Sequence, residues 1–582
     1  MSFKALQSLT GLWRPRLMIG LGAALVVAAT SVSASQAETS ISVPSGVIPP
    51  PMSFPKAQFF MAHPDVWAQV SARLPRLGSD ASAGQAAFVS NSGGSWETVT
   101  KAPSGGLCNP LLLTDATVIV HNCDTPVWYR LTPDIKGNYA DGTWSQIASL
   151  PVIGKTQYQP QYNASAVLPD GRVIIEGGEY DGGSSGVWTN LGAIYDPVAN
   201  QWTAVSPPSG GSWSRIGDAQ SVVLANGTFM LAACCASPAA DALLNPTNLT
   251  WTPTGAPNAG ANYQDEQGYE LLPNGNVLTI DVWTNYANKG NATNAEQYST
   301  QTGTWSGAGN TPVSLPDPYQ CGNFEIGPAP LRDDGTLVAF GGNTGCVAGA
   351  TADPTAIYDY KTSAWSSGPD VPATCGAGST TSCTLADAPA AVLPTGSILF
   401  AASSGYGQAP THFFEFSTSN AIRQVADTKE HASTSGSYYY NFLLLPNGQV
   451  FSTDFSANAE VYTPVGNPVA RWAPIVGKAP ANVTPGRSYM IKGSQLGGRS
   501  QGAYYGDDAQ ASTNYPIVKL VNSATGDVSY ARSYDFSMMS VAPNAHDYST
   551  EFTVPASVET GPSSLYVIAN GIASAPVSVM VN

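Results

Sequence analysis

Six short turns of one pattern recur along the chain: Pro169-Asp170-Gly171, Ala225-Asn226-Gly227, Pro273-Asn274-Gly275, Asp333-Asp334-Gly335, Pro394-Thr395-Gly396 and Pro446-Asn447-Gly448. Each separates two apolar runs of strand length, and Asp-Gly or Asn-Gly accepts the positive φ that a tight turn between twisted strands demands. A degraded seventh copy, Leu113-Thr114-Asp115-Ala116-Thr117, precedes the strand Val118-Ile119-Val120. The glycines stand 48 to 61 residues apart, room for four strands and loops of variable length. In each unit a third strand ends as in Ile194-Tyr195-Asp196-Pro197 or Ile357-Tyr358-Asp359, and a fourth carries Trp144, Trp202, Trp251, Trp305 or Trp365. Seven four-stranded units predict an all-β fold with a seven-bladed propeller.

The last unit stops after Val461-Tyr462-Thr463-Pro464 without its Trp strand, and Gly94-Ser95-Trp96-Glu97-Thr98-Val99 at the other end supplies one. That N-terminal strand is expected to close the ring so that no sheet edge stays open. The propeller is therefore placed at 81–470. From 471 to 582 apolar alternation continues without Trp strands or cysteines, the size and pattern of an immunoglobulin-like β-sandwich. Residues 38–80 read as a Pro-rich lead-in with one short helix around 65–74. Residues 1–37 read as a signal peptide, with Lys4, Arg14 and Arg16 before an apolar stretch and small residues up to Ala37. The expected protein is secreted, without a membrane span after cleavage, and with no interaction helix it is expected to be a monomer.

Export makes the eight cysteines candidates for disulfides, and proximity favours 108–123, 321–346 and 375–383, with Cys234 and Cys235 adjacent. The chain holds 24 Lys and Arg against 40 Asp and Glu, with no basic run, which argues against a nucleic-acid partner.

A propeller gathers its chemistry where the innermost strands meet the central channel, and one equivalent position can be compared around the ring. Nine residues before each turn glycine stand Tyr162, Asp218, Glu266, Ile326, Asp387 and Tyr439, and the same count from Thr117 reaches Cys108. Glu325 serves its blade if the register slips by one. Clustered carboxylates repel unless a cation or Arg neutralises them, so Asp218, Glu266, Glu325 and Asp387 form a candidate site for Ca²⁺ or another hard cation. Arg215 and Arg332, from the same loops, are candidate partners. One of the carboxylates could also move protons in a non-redox reaction.

Signal peptide, Kelch-like blades and C-terminal sandwich together resemble the galactose oxidase and glyoxal oxidase family of secreted copper-radical oxidases. The stretches that carry the resemblance are Tyr162 to Val173 followed by Gly177-Gly178, Tyr438 to Val450, Tyr504-Tyr505-Gly506-Asp507-Asp508-Ala509-Gln510 and Pro576-Val577-Ser578-Val579. The resemblance implies that Tyr162 is the tyrosine cross-linked to a cysteine, with Cys108 as its partner, and that Tyr438 is axial. Cys108 has the alternative of a disulfide with Cys123. The resemblance also places a stacking aromatic at Tyr180. Its two histidine positions hold Tyr439 and, in the C-terminal loop expected to enter the channel, Tyr534. Copper(II) favours nitrogen donors, so two phenols in place of imidazoles weigh against copper. The leading expectation is a secreted relative without copper-radical activity, binding an extracellular glycan or other polyhydroxylated molecule through Tyr162, Tyr180, Tyr438, Tyr439 and Tyr534. The alternatives are an alcohol or aldehyde oxidase with altered ligands, in which Tyr162, Cys108 and Tyr438 would be catalytic, and the non-redox enzyme.

Overall fold

All six turn glycines are left-handed, with φ between 83° and 92°. The residue before each keeps a negative φ, so the turns are a type I turn closed by a left-handed glycine rather than a two-residue hairpin. Their Asp or Asn side chains act on the backbone instead. Asp170, Asn226, Asn274, Asp334 and Asn447 each accept, through Oδ1, the backbone N–H two residues on, at 2.9–3.1 Å. These side-chain turns fix the hairpin locally. Asp115 does the same for Thr117 at 3.1 Å, and Ala116, with φ 64°, takes the glycine's place. The degraded copy is thus shifted by one, and a bulge between Cys108 and Leu111 breaks its first strand. The left-handed residue in that strand is Asn109, not Cys108.

In the computed structural model the described residues are 41–582, except 42, 46, 75–92, 184, 258–262, 284–291, 317–324, 343–351, 373–374, 376–381, 507–510 and 542–547. The signal peptide and the Cys321–Cys346 pair lie outside them. Antiparallel blades run over 107–146, 164–205, 221–254, 270–310, 336–367, 389–424 and 441–463. In the fifth, bridges Ile326–Gly341 and Leu331–Leu337 lie alongside three strands. Ser95–Thr98 completes the seventh, with Trp96 opposite Tyr462. This is a seven-bladed propeller closed by its N-terminal strand.

The Trp strands weld consecutive blades. Trp202, Trp251, Trp305 and Trp365 donate their indole N–H to Ala148, Ser206, Gly255 and Ala308 of the preceding blade or its exit, at 2.8–3.1 Å. Trp96 does the same to Ala426 at 2.8 Å. Trp202, Trp305, Trp365 and Trp96 also pack on the Tyr that ends the third strand, as in Tyr195–Trp202 and Tyr358–Trp365, with centroids 5.0 and 4.9 Å apart, whereas Trp251, whose third strand holds no aromatic, packs on Phe229 and Trp213.

Strands from Ile475 to Val581 form one hydrogen-bonded path, in which Val528–Tyr534 pairs with Ile517–Asn522 on one side and Tyr548–Thr553 on the other. One strand end and the loop after it bond to the turn ends of the first three blades: the backbone N–H groups of Ser533, Phe536 and Met539 donate to the carbonyls of Thr114, Pro169 and Ala225. One piece, Ala503–Tyr505, leaves this region and adds a fifth strand beside Pro389–Val392 of the sixth blade. The lead-in holds two helices, Phe54–Ala62 and Pro64–Ser71. The first was unexpected, although Ser53, whose Oγ accepts the Lys56 N–H, and Pro55 are helix-start residues.

Trp96 is 5% exposed and holds both the closing strand and the neighbouring blade. Trp96→Ala should lower stability by about 3–5 kcal/mol, read as a shift of the urea midpoint.

Candidate functional site

The inner positions share a backbone device. Tyr162, Glu266 and Asp387 have φ of 51°, 58° and 51°, and Gly217, just before Asp218, has 65°. A left-handed non-glycine residue costs on the order of 1 kcal/mol, and here the kink recurs at the start of innermost strands. Glu266, Glu325 and Asp387 converge, with one oxygen of each within 4.8 Å of the others. Glu325 thus stands in for Ile326, as a one-residue slip requires. Asp218, also buried, sits to the side, near enough to Glu179, Asp265 and Glu266 to raise their proton affinity.

Neither expected arginine answers these charges. Arg215 lies over the Phe54 ring, 4.7 Å from its centroid, and Arg332 bonds Thr336 and Asn420 near a turn. Among the described residues the cation at this place is Lys56, from the lead-in. Its fully buried ammonium contacts Glu325 Oε1 closely, lies 3.8 Å from Glu266 Oε1, and donates to Tyr406 OH at 2.6 Å and to the Pro51 carbonyl at 2.9 Å.

The lead-in reaches this point along a row of aromatic donors. Tyr438, Tyr162, Tyr180 and Tyr406 donate their hydroxyls to the carbonyls of Ile48, Pro49, Pro50 and Pro51 in turn, at 3.1, 2.9, 2.9 and 2.7 Å. Trp188 Nε1 continues to Met52 at 3.1 Å. Pro49, Pro50 and Pro51 offer no N–H, so these three residues present acceptors only, while the Ile48 N–H bonds the Tyr439 hydroxyl. Where N–H groups return, carboxylates take them: Glu179 from Met52 at 2.7 Å, Glu266 from Ser53 at 2.8 Å and Asp265 from Phe54 at 3.3 Å. Every carbonyl from 48 to 52 and every N–H from 52 to 54 is met.

Tyr162, Tyr180, Tyr438 and Tyr439 are therefore gathered at one mouth, Tyr439 with its ring edge-on to Tyr438 at 4.7 Å. Tyr534 is not among them. It lies on the C-terminal sheet, its hydroxyl donating to Ser488 at 2.8 Å and its ring beneath Arg532, whose guanidinium reaches the Asp170 carbonyl at the opposite end of the inner strand from Tyr162. The C-terminal residue that enters is Tyr505, which stacks on Tyr162 with centroids 6.3 Å apart and donates to the Tyr438 carbonyl at 2.9 Å. Tyr406, Trp188 and Tyr505 stand outside the nine-residue count, which is why the repeat does not reveal them.

Cys108 is bonded to Cys123, so it forms no thioether with Tyr162; Cys234–Cys235 and Cys375–Cys383 are also disulfides. The four described histidines are engaged elsewhere: His63 with Phe59, His121 with Thr125, His412 with Asp427 and His431 with Asp454. Among the described residues the mouth thus offers phenols and carboxylates, oxygen donors rather than the nitrogen donors that copper(II) favours.

Burial pushes the Asp387 carboxyl up to about 7, against the pull of the Lys56 ammonium. Burial likewise raises Glu179, Asp265 and Glu266 well above the ordinary range. The folded chain holds these protons where the unfolded chain releases them, so folding suffers no penalty from Asp387 below about pH 4 and loses stability as the pH rises towards 7. Asp387→Asn should flatten that slope in urea midpoints measured between pH 4 and 8.

No family model matches the chain, and no curated protein matches it. Among solved structures, a fungal alcohol oxidase of the AA5 family in complex with copper is similar over 84% of this chain and 99% of its own, at 13% identity and TM-score 0.45. The extracellular domain of a hybrid two-component system from B. thetaiotaomicron is similar over 85% and 58%, at 9% identity and TM-score 0.39. At such identities the site must be read from this chain's own side chains. Among the described residues no helix is long and apolar enough to cross a membrane.

Proposed function

We propose that the chain is a secreted binding protein that takes an extended, acceptor-rich ligand at the channel mouth, a glycan or other polyhydroxylated molecule, and that residues 48–53 compete for the same place. The observation that carries this reading is the row of four phenols and one indole, each donating to a successive carbonyl of 48–52. A sugar chain presents hydroxyl and ring oxygens at comparable intervals, and its apolar faces stack on Tyr rings. The carboxylates that accept N–H groups from 52–54 would accept sugar hydroxyls equally well. On this reading the strands of 471–582 form an immunoglobulin-like brace that delivers Tyr505. The oxygen-rich lining supports binding over copper-radical oxidation, and Glu325 is taken up by the Lys56 ammonium.

A competing segment lowers apparent affinity by the fraction of molecules in which it is docked. Phe54 anchors the segment edge-on against Trp188, centroids 5.3 Å apart, and beneath Arg215. Phe54→Ala should therefore tighten binding of oligosaccharides severalfold in calorimetry after a glycan-array screen, and Tyr162→Phe should weaken it. Absence of binding by both the wild type and Phe54→Ala, with peroxide evolving from alcohols and copper surviving dialysis, would replace this reading with the oxidase one.

A further inference from the structure

The surroundings of the Lys56 ammonium are those of a metal ion. Among the described residues its polar neighbours are oxygens: a carboxylate oxygen of Glu325, one of Glu266 at 3.8 Å, the Tyr406 hydroxyl and the Pro51 carbonyl. A third carboxylate, Asp387, closes the group. It is 1% exposed, no hydrogen-bond donor among the described residues reaches either of its oxygens, and one of them lies within 4.8 Å of the oxygens of both glutamates. One ammonium with three rotatable donors cannot satisfy three carboxylates, a carbonyl and a hydroxyl together. A hard divalent cation takes six to eight oxygens in flexible geometry and carries the second positive charge that three carboxylates call for.

We propose that the oxygens of Glu266, Glu325, Asp387, Tyr406 and Pro51 form a site for a hard divalent cation of the Ca²⁺ class, and that Lys56 is its tethered competitor. Ammonium and metal exclude one another. A cation entering the cage ejects the lysine, which stands in the first turn of the helix Phe54–Ala62, and so loosens the segment that fills the mouth. Removing the lysine leaves room for the ion while the aromatic row still holds the segment. This proposal does not depend on the ligand reading, because its test uses the metal alone.

The full-length chain with Lys56→Ala, titrated with CaCl₂ by calorimetry at pH 8 so that protons do not fill the carboxylates, should bind one Ca²⁺ at least about 100-fold more tightly than the wild type. Adding Asp387→Asn to that variant should abolish the gain. In the wild type, millimolar CaCl₂ should speed amide exchange over residues 52–60 relative to NaCl of equal ionic strength. The proposal is overturned if a folded Lys56→Ala chain binds Ca²⁺ no better than the wild type. Unchanged exchange in the wild type overturns the competition, and that measurement holds whether or not the variant folds.

Discussion

One ammonium, shut off from water where the blades converge, is what the mouth of this molecule is arranged around. Taking a charge out of water costs several kcal/mol, and attraction to partners repays it only when geometry is good and the remaining donors are used. Lys56 meets that condition through Glu325, Tyr406 and Pro51. The carboxylates depend on it in return. Glu266 and Asp387 hold their protons above the ordinary range, and Lys56 is what pulls both back down. Such an arrangement contributes less to net stability than to specificity: it fixes which residue of the lead-in stands at the centre, and thereby the register of all the carbonyls before it.

That register explains why the aromatic row and the carboxylates behave as one site. Three consecutive prolines have only acceptors, and phenols are suited to them because their hydroxyls donate while their rings fill an apolar wall. Where the chain bends into its first helix, N–H groups reappear and the lining changes from donors to acceptors. The change falls between Met52, whose carbonyl meets Trp188 and whose N–H meets Glu179, and Ser53. Donor and acceptor halves of the mouth are therefore set by the chemistry of one short stretch.

Much of the ring is legible in the sequence because its determinants are local. A turn glycine fixes the hairpin, the hairpin fixes the inner strand, and a count of nine residues then lands on Tyr162, Asp218, Glu266, Asp387 and Tyr439. The count fails in the first blade for an equally local reason: Ala116 replaces the glycine and a bulge follows Cys108. What could not be read is long-range. Lys56 meets Tyr406 from 350 residues away and Tyr505 meets Tyr438 from 67, and no periodicity encodes either contact. Tyr534 was misplaced because a short polar-aromatic loop motif does not say at which end of a blade its sheet will dock.

The N-terminal closing strand has a further meaning for the order of events. Gly94 bonds Tyr462 across 368 residues, and the lead-in just before it contacts Tyr406 and Tyr438 in the sixth and seventh blades. Contacts of such separation form late, since the loop must be closed before anything rewards it. A segment synthesised before any of the blades is thus the last to find its place, and the mouth stays unfilled until the ring it seals is nearly whole.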